Sequence, residues 1–190
     1  NKVIKKSNYK FEFIDLGGGM GIQYEKNSKK LNYKIYNNLI KKFLKNHDSK
    51  IIFEPGRSII GSVGSLISKI TYIKKTKNKI FVILDCAMND FLRPALYGAK
   101  HEILPTVKNR KKIKKATEFV GPICETTDTF LKLSKFQSIK EGDNIAILNT
   151  GAYGMSLSSN YNVRPMPIEI LIKNKKSSVI LKRQKLNEIT

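Results

Sequence analysis

The period of the apolar residues changes at about residue 65, and this limits the chain to a fold with two kinds of unit. Before that point, residues 11–16 form a short apolar run that meets Gly17-Gly18-Gly19-Met20-Gly21. Leu31, Ile35, Leu39 and Phe43 then recur every four residues beside Tyr36, Ile40 and Leu44, which makes one broad helical face. A second apolar run, residues 50–53, stops at Glu54-Pro55-Gly56-Arg57. Strand, glycine loop, helix, strand, polar loop is the grammar of parallel α/β units, whose ligands gather beyond the carboxyl ends of the strands.

Beyond that point lie short β-rich runs at 67–73, 80–85, 102–104, 117–120, 144–148, 168–172 and 178–182. Turn signals such as Lys77-Asn78, Glu141-Gly142-Asp143 and Asn174-Lys175-Lys176 separate them. They predict a mostly antiparallel β domain. No low-complexity linker marks the boundary, so units of 1–64 and 65–190 are expected to pack closely.

With 41% hydrophobic residues, a chain of 190 residues can bury a core. No apolar run approaches the ~20 residues of a membrane span, and Asn1-Lys2-Val3-Ile4-Lys5-Lys6 is no signal peptide, so a soluble cytoplasmic protein without a membrane partner is expected. Cys86 and Cys124 lie outside any CxxC and away from histidines at ligand spacing, which excludes a disulfide framework and structural zinc; no metal is expected. A net charge of +21 raises nucleic acid as a partner. However, only five of the 36 basic residues are arginines, and the lysines accompany many Ile and Asn, as in a composition bias spread over the surface. Nucleic acid is therefore not the expected partner, and the dense run at 108–115 reads as a solvated loop. The scarcity makes each arginine informative, because this chain uses Lys wherever any cation serves and Arg where a planar fork is needed.

The triple glycine lets the backbone approach a phosphate, with N–H groups converging on the anion ahead of the next helix. A tight turn would look the same, and the GxGxxG pattern is not met. Glu54 and Arg57 would flank whatever the glycines hold, or else form a local ion pair; spacing alone leaves both open.

Phe13-Ile14-Asp15-Leu16-Gly17-Gly18-Gly19-Met20-Gly21-Ile22 is followed by Glu54-Pro55-Gly56-Arg57-Ser58-Ile59. Four further segments keep the order: Asp85-Cys86-Ala87-Met88-Asn89-Asp90-Phe91-Leu92-Arg93-Pro94-Ala95-Leu96-Tyr97, Val120-Gly121-Pro122-Ile123-Cys124-Glu125-Thr126-Thr127-Asp128, Gly151-Ala152-Tyr153-Gly154-Met155-Ser156, and Ser158-Ser159-Asn160-Tyr161-Asn162-Val163-Arg164-Pro165. The first two segments resemble the pyridoxal-phosphate decarboxylases built on an alanine-racemase-like barrel. The other four resemble the branch of that family acting on diaminopimelate. The match runs over about residues 11 to 183.

The resemblance implies an α/β plus all-β fold, a remnant of a (β/α)8 barrel followed by the β domain. It implies pyridoxal 5'-phosphate as cofactor, held by Gly17, Gly18, Gly19, Glu54, Gly56, Arg57 and Tyr153, with Glu54 at the pyridine nitrogen. Arg57, Arg93, Tyr97, Glu125 and Tyr153 would bind substrate, Arg93 and Tyr97 taking a distal carboxylate and Glu125 a distal ammonium. Cys124 would return a proton to Cα once CO2 has left. The Cys124–Glu125 pair would reach the active site of a second subunit, making a homodimer with the site at its interface. Arg164 has no assigned role, and Cys86, His47 and His101 read as structural.

Within the family, ornithine-type enzymes carry Asp after the cysteine and take a substrate with no second carboxylate. Glu125 together with Arg93 and Tyr97 points to meso-diaminopimelate, which loses CO2 at its D-configured end to give L-lysine. Carboxynorspermidine or another basic amino acid is the alternative substrate, and a non-catalytic basic binding protein is the alternative outside enzymes. One departure matters. A complete β/α barrel takes ~250 residues, and no segment like Ala-x-Lys-Ala-Asn, which would carry the cofactor-binding lysine, occurs in these 190. The chain is therefore expected to be a C-terminal portion, inactive alone, with Asn1 not a natural start.

Overall fold

The computed structural model describes residues 2–7, 9–25, 28–107 and 110–189, so Lys108 and Asn109 of the basic run lie outside the described residues. In chain order the elements are α1 (Lys2–Ser7), β1 (Phe13–Asp15), α2 (Tyr33–Leu44), β2 (Lys50–Ile52), α3 (Gly56–Ile60), β3 (Ser65–Lys75), β4 (Lys79–Leu84) and α4 (Arg93–Tyr97). They continue with β5 (Ile103–Pro105), β6 (Lys112–Ile113), β7 (Ala116–Val120), β8 (Thr129–Leu133), β9 (Phe136–Gln137), β10 (Asn144–Leu148), β11 (Glu169–Lys173) and β12 (Lys176–Leu181). None of the described helices is long and apolar enough to cross a membrane.

β1 and β2 pair in parallel, Ile14 opposite Ile51, with α2 as their crossover. Asn32 caps α2 by accepting the Ile35 N–H at 3.1 Å, and Lys41 and Lys42 sit in its last turn, where the helix dipole favours cations. Tyr36, Ile40, Phe43 and Leu44 are half-buried, and the Tyr36 ring lies 6.0 Å from that of Phe53. Ile35 and Leu39 remain 59% exposed, so the broad apolar face is only partly covered.

Past residue 64 the main sheet has six strands in the order β5-β10-β3-β4-β7-β8, with β6 and β9 paired apart from it. Its pairings are antiparallel except β4 with β7. Period-two patterning turns Ile80, Val82 and Leu84 of β4, Phe119 of β7, and Ile145 and Ile147 of β10 into a common core with Ile70, Phe91 and Ile103. Each such side chain removed from water stabilises the fold by about 1.5–3 kcal/mol. β11 and β12 form a separate hairpin, closed by Asn174 and Lys175 at φ +51° and +63°, the left-handed pair that matches strand twist in a two-residue turn.

The sequence reading passes over β8, which pairs with β7 from Thr117–Leu133 to Val120–Thr129 and buries Phe130. This pairing makes residues 121–128 the loop of a hairpin. A second difference concerns the glycines. Residues 16–25 and 28–32 are irregular and α2 begins only at Tyr33, so the glycine loop does not open a helix and gains nothing from a helix dipole.

Residues 60–64 and the loop at 150–151 meet backbone to backbone. Gly151 N–H donates to Gly61 O at 3.1 Å, Thr150 N–H donates to Gly64 O at 3.0 Å, and a Cβ on Gly151 would run into the Ile60 carbonyl. Gly151→Ala should therefore lower the stability of the chain by about 1–3 kcal/mol or more, read as a drop in urea midpoint. Gly21→Ala, where a Cβ meets nothing within 4 Å, should stay within about 0.5 kcal/mol. Equal midpoints for the two variants would show that the units do not rest on this contact.

Candidate active site

Beyond the carboxyl ends of β1 and β2 the glycine loop and the Glu54 segment are tied together. Leu16 N–H donates to Ile52 O at 3.1 Å and Glu54 N–H to Gly17 O at 2.9 Å. Gly17 and Gly19 sit at φ +67° and +79°, and a Cβ on Gly18 would stand 2.5 Å from Glu54 O. The Gly17 N–H is occupied by Asp15 Oδ1 at 2.7 Å and the Gly56 N–H by Glu54 O at 2.9 Å. Those of Gly18 and Gly19 have no partner among the described residues. Two adjacent free donors on exposed backbone, in a cradle that a side chain would fill, fit the phosphate of a cofactor.

Glu54 and Arg57 are both exposed and form no ion pair with each other among the described residues. The Arg57 guanidinium lies instead over the Tyr153 ring, 5.6 Å from its centroid, joining the first unit to the second. Tyr153 is held at φ +58°, a left-handed conformation that a non-glycine residue rarely adopts, between buried Ala152 and Gly154.

Arg93 opens α4 with only 5% exposure. Its Nη1 lies 2.8 Å from His101 Nε2, and its guanidinium stacks 4.7 Å from the Tyr24 ring centroid. Its Nε and the Tyr24 hydroxyl are buried without partners, and no carboxylate pairs with it among the described residues. Tyr97, one turn later, is 63% exposed. His101 Nδ1 lies 2.8 Å from Leu148 O, and the Tyr24 and Phe91 rings pack edge-on against the imidazole at 4.8 and 4.7 Å. Burial, reinforced by the Arg93 charge, lowers the His101 pKa to about 4 against the pull of Leu148 O, so the ring is neutral near pH 7.

Cys124 is exposed and Glu125 half-buried on the loop between β7 and β8. Asp128 clamps that loop: its carboxylate accepts Ile123 N–H at 2.9 Å and Met88 N–H at 2.8 Å, and a Cβ on Gly121 would collide with it. Burial raises the Asp128 carboxyl pKa, opposed by those N–H donors and by Arg164. Arg164 supplies what the sequence left open. Its Nε donates to Asn89 Oδ1 at 3.0 Å and its Nη2 to Asp85 O at 2.6 Å, while Asn89 Nδ2 donates to Ser159 O at 3.2 Å. It pins the 158–165 segment to the 85–90 loop, which in turn supports the cysteine loop through Met88. Cys86 is buried, and burial pushes its thiol pKa up, in keeping with a structural part.

The sequence-selected residues thus fall into three groups: the glycine loop with Glu54, Arg57 and Tyr153; Arg93 with Tyr97; and Cys124 with Glu125. Tyr24 and His101, not selected as site residues, pack against Arg93 and so belong to the second group. No hydrogen bond, ion pair or ring contact links the cysteine group directly to the others among the described residues. A groove of about 560 Å³ beside Lys10, His47 and Lys50 lies at the opposite end of β1 and β2 from Glu54. Within the described residues no group of three or more His, Cys, Asp or Glu could hold a metal ion.

The chain thus joins a short parallel α/β unit to a mixed sheet, with a glycine cradle beyond the strands. Residues 13–151 match the family described as pyridoxal-dependent decarboxylase, C-terminal sheet domain, and the chain belongs to that family. Among curated relatives it is 40% identical over 188 residues to diaminopimelate decarboxylase of Aquifex aeolicus (strain VF5), covering 98% of this chain and 44% of that protein. It is 44% identical over 177 residues to the Helicobacter pylori enzyme of the same name, again covering 44% of it. The crystal structure of diaminopimelate decarboxylase from Helicobacter pylori complexed with L-lysine superposes with a TM-score of 0.88 at 41% identity, over 99% of this chain and 46% of that one. The chain thus spans a little under half the length of the relatives it matches.

Proposed function

We propose that this chain is the sheet-domain portion of a pyridoxal-phosphate enzyme that converts meso-diaminopimelate to L-lysine and CO2 in the cytoplasm. One observation carries the substrate choice: Arg93 is a buried guanidinium with an unpartnered Nε and no carboxylate beside it. A buried charge without a counter-charge costs several kcal/mol, and a ligand carboxylate would offset that cost. The unit division at 64/65 belongs to the same reading, as does a homodimer whose site lies at the subunit interface.

Bound pyridoxal phosphate would supply an electron sink for breaking the Cα–CO2 bond. Gly18 and Gly19 would hold its phosphate through their free N–H groups, with Gly17 setting the turn and Gly56 the approach of Arg57. Glu54 would keep a proton on the ring nitrogen. Arg57 and Tyr153, already stacked, would bound the phosphate and substrate side. Arg93, with Tyr97, would receive the distal carboxylate and Glu125 the distal ammonium. Cys124 would return a proton to Cα.

The test joins residues 1–190 to the barrel portion of the Aquifex aeolicus relative and measures lysine and CO2 from meso-diaminopimelate. Lysine formation, with ornithine and carboxynorspermidine turned over at least ~100-fold less efficiently, is the expected result. A folded, cofactor-loaded protein that prefers either alternative would overturn the substrate, and one that processes none of the three would overturn the enzyme reading.

A further inference from the structure

We propose that His101 is a positioning residue for substrate selection, holding Arg93 so that its fork meets the second carboxylate of the substrate. The inference rests on the role of Arg93 proposed above and adds a residue to it. The geometry leaves His101 one arrangement. Nδ1 lies 2.8 Å from Leu148 O, which only accepts, so Nδ1 carries the hydrogen. Nε2 lies 2.8 Å from Arg93 Nη1, which only donates, so Nε2 carries the lone pair. The imidazole is thus a neutral bridge between a strand carbonyl and a buried guanidinium.

The rest of the surroundings enforce the same state. Tyr24 and Phe91 present ring edges to the imidazole at 4.8 and 4.7 Å, and the ring is 1% exposed, so it has no room to turn over. Tyr24 also lies under the guanidinium, which places Arg93 between a π-face and a lone pair, neither of which neutralises its charge. A carboxylate at this position would have drawn the fork into an internal ion pair. A neutral acceptor uses one N–H and leaves the positive charge for a ligand. α4 is also too short to fix a long side chain by itself, so the Leu148 carbonyl, at the end of β10, supplies the rigid reference.

The experiment uses the barrel-joined enzyme, with meso-diaminopimelate as substrate and D-lysine, which keeps the D-configured end but lacks the distal carboxylate, as competitive inhibitor. His101→Leu should raise KM for meso-diaminopimelate about tenfold, with turnover number and D-lysine inhibition constant within about twofold. His101→Gln, which can accept from Arg93 and donate to Leu148 O, should recover most of the loss. Nitrogen NMR of the histidine-labelled parent should show the Nδ1–H tautomer.

Equal shifts for meso-diaminopimelate and D-lysine, or an Nε2–H tautomer, would overturn the inference. Arg93→Lys separates the two readings. If it abolishes the preference for the dicarboxylate while His101→Leu does not, His101 alone is wrong; if Arg93→Lys leaves that preference intact, the proposed role of Arg93 has failed first.

Discussion

Cys124→Ala should slow CO2 release from meso-diaminopimelate by a factor of about 10²–10⁴ in the barrel-joined enzyme while its pyridoxal phosphate content stays unchanged. The thiol stands on an exposed loop, yet the loop is rigid, because Asp128 gathers the Ile123 and Met88 N–H groups and fills the space beside Gly121. An exposed side chain on a clamped loop, without a contact to the glycine cradle or Arg93, suits a proton donor that serves a neighbouring subunit. Mixing Cys124→Ala with Glu54→Ala then has a defined outcome. Each mixed dimer would combine the intact Glu54 of one subunit with the intact Cys124 of the other, and about a quarter of parental activity should return once subunits have exchanged. Failure to recover activity, with exchange confirmed, would place the thiol in its own subunit's site. An unimpaired Cys124→Ala enzyme would remove the cysteine from the chemistry altogether.

The α/β-then-β order was legible because apolar period is a local property. The 3.6 repeat of α2 and the alternation in β4 and β10 are written in adjacent residues and needed no knowledge of partners. β8 escaped because Leu131 and Leu133 pack against the same core cluster that buries Phe130, which blurs its alternation, and because it follows directly on a motif that reads as loop. α4 carried a readable signal that went unused: Pro94 in its first turn and Gly98 at φ +60° just past its end, the asymmetry of a short helix. The parallel register of β4 with β7 could not be read at all, since strand neighbours distant in sequence are chosen by packing rather than by local propensity.

The scarcity of arginine proved the most informative compositional signal. Arg110 forks onto Asp143 and Arg164 spans Asn89 and Asp85 O, contacts that use a planar donor array, while Arg57 lies over the Tyr153 ring and Arg93 meets His101 and the Tyr24 ring. What spacing could not reveal was burial. In the sequence Arg93 and Tyr97 stand four residues apart as equal candidates for a carboxylate; in the structure the first is 5% exposed and the second 63%. The lone pair that holds Arg93 belongs to His101, a residue that reads as core packing until its two nitrogens are placed between a carbonyl and a guanidinium.

That buried position governs what Arg93→Lys should do. Lysine keeps the charge, but it is shorter and has no fork, so it cannot reach His101 Nε2 and a substrate carboxylate at once. The charge-assisted hydrogen bonds lost are worth about 1.5–3 kcal/mol, a fall of roughly 10–150-fold in kcat/KM for meso-diaminopimelate. Pyridoxal phosphate content should hold, because the glycine cradle and Glu54 contact neither Arg93 nor its partners. D-lysine inhibition should change little, since that molecule offers nothing for the fork to grip. The ammonium would also sit over the Tyr24 ring with fewer hydrogen-bond partners than in water, a desolvation cost that a guanidinium, being more weakly hydrated, bears better. Retained kcat/KM per bound cofactor would mean that the unpartnered Nε of Arg93 belongs to the core and that the second carboxylate is recognised elsewhere.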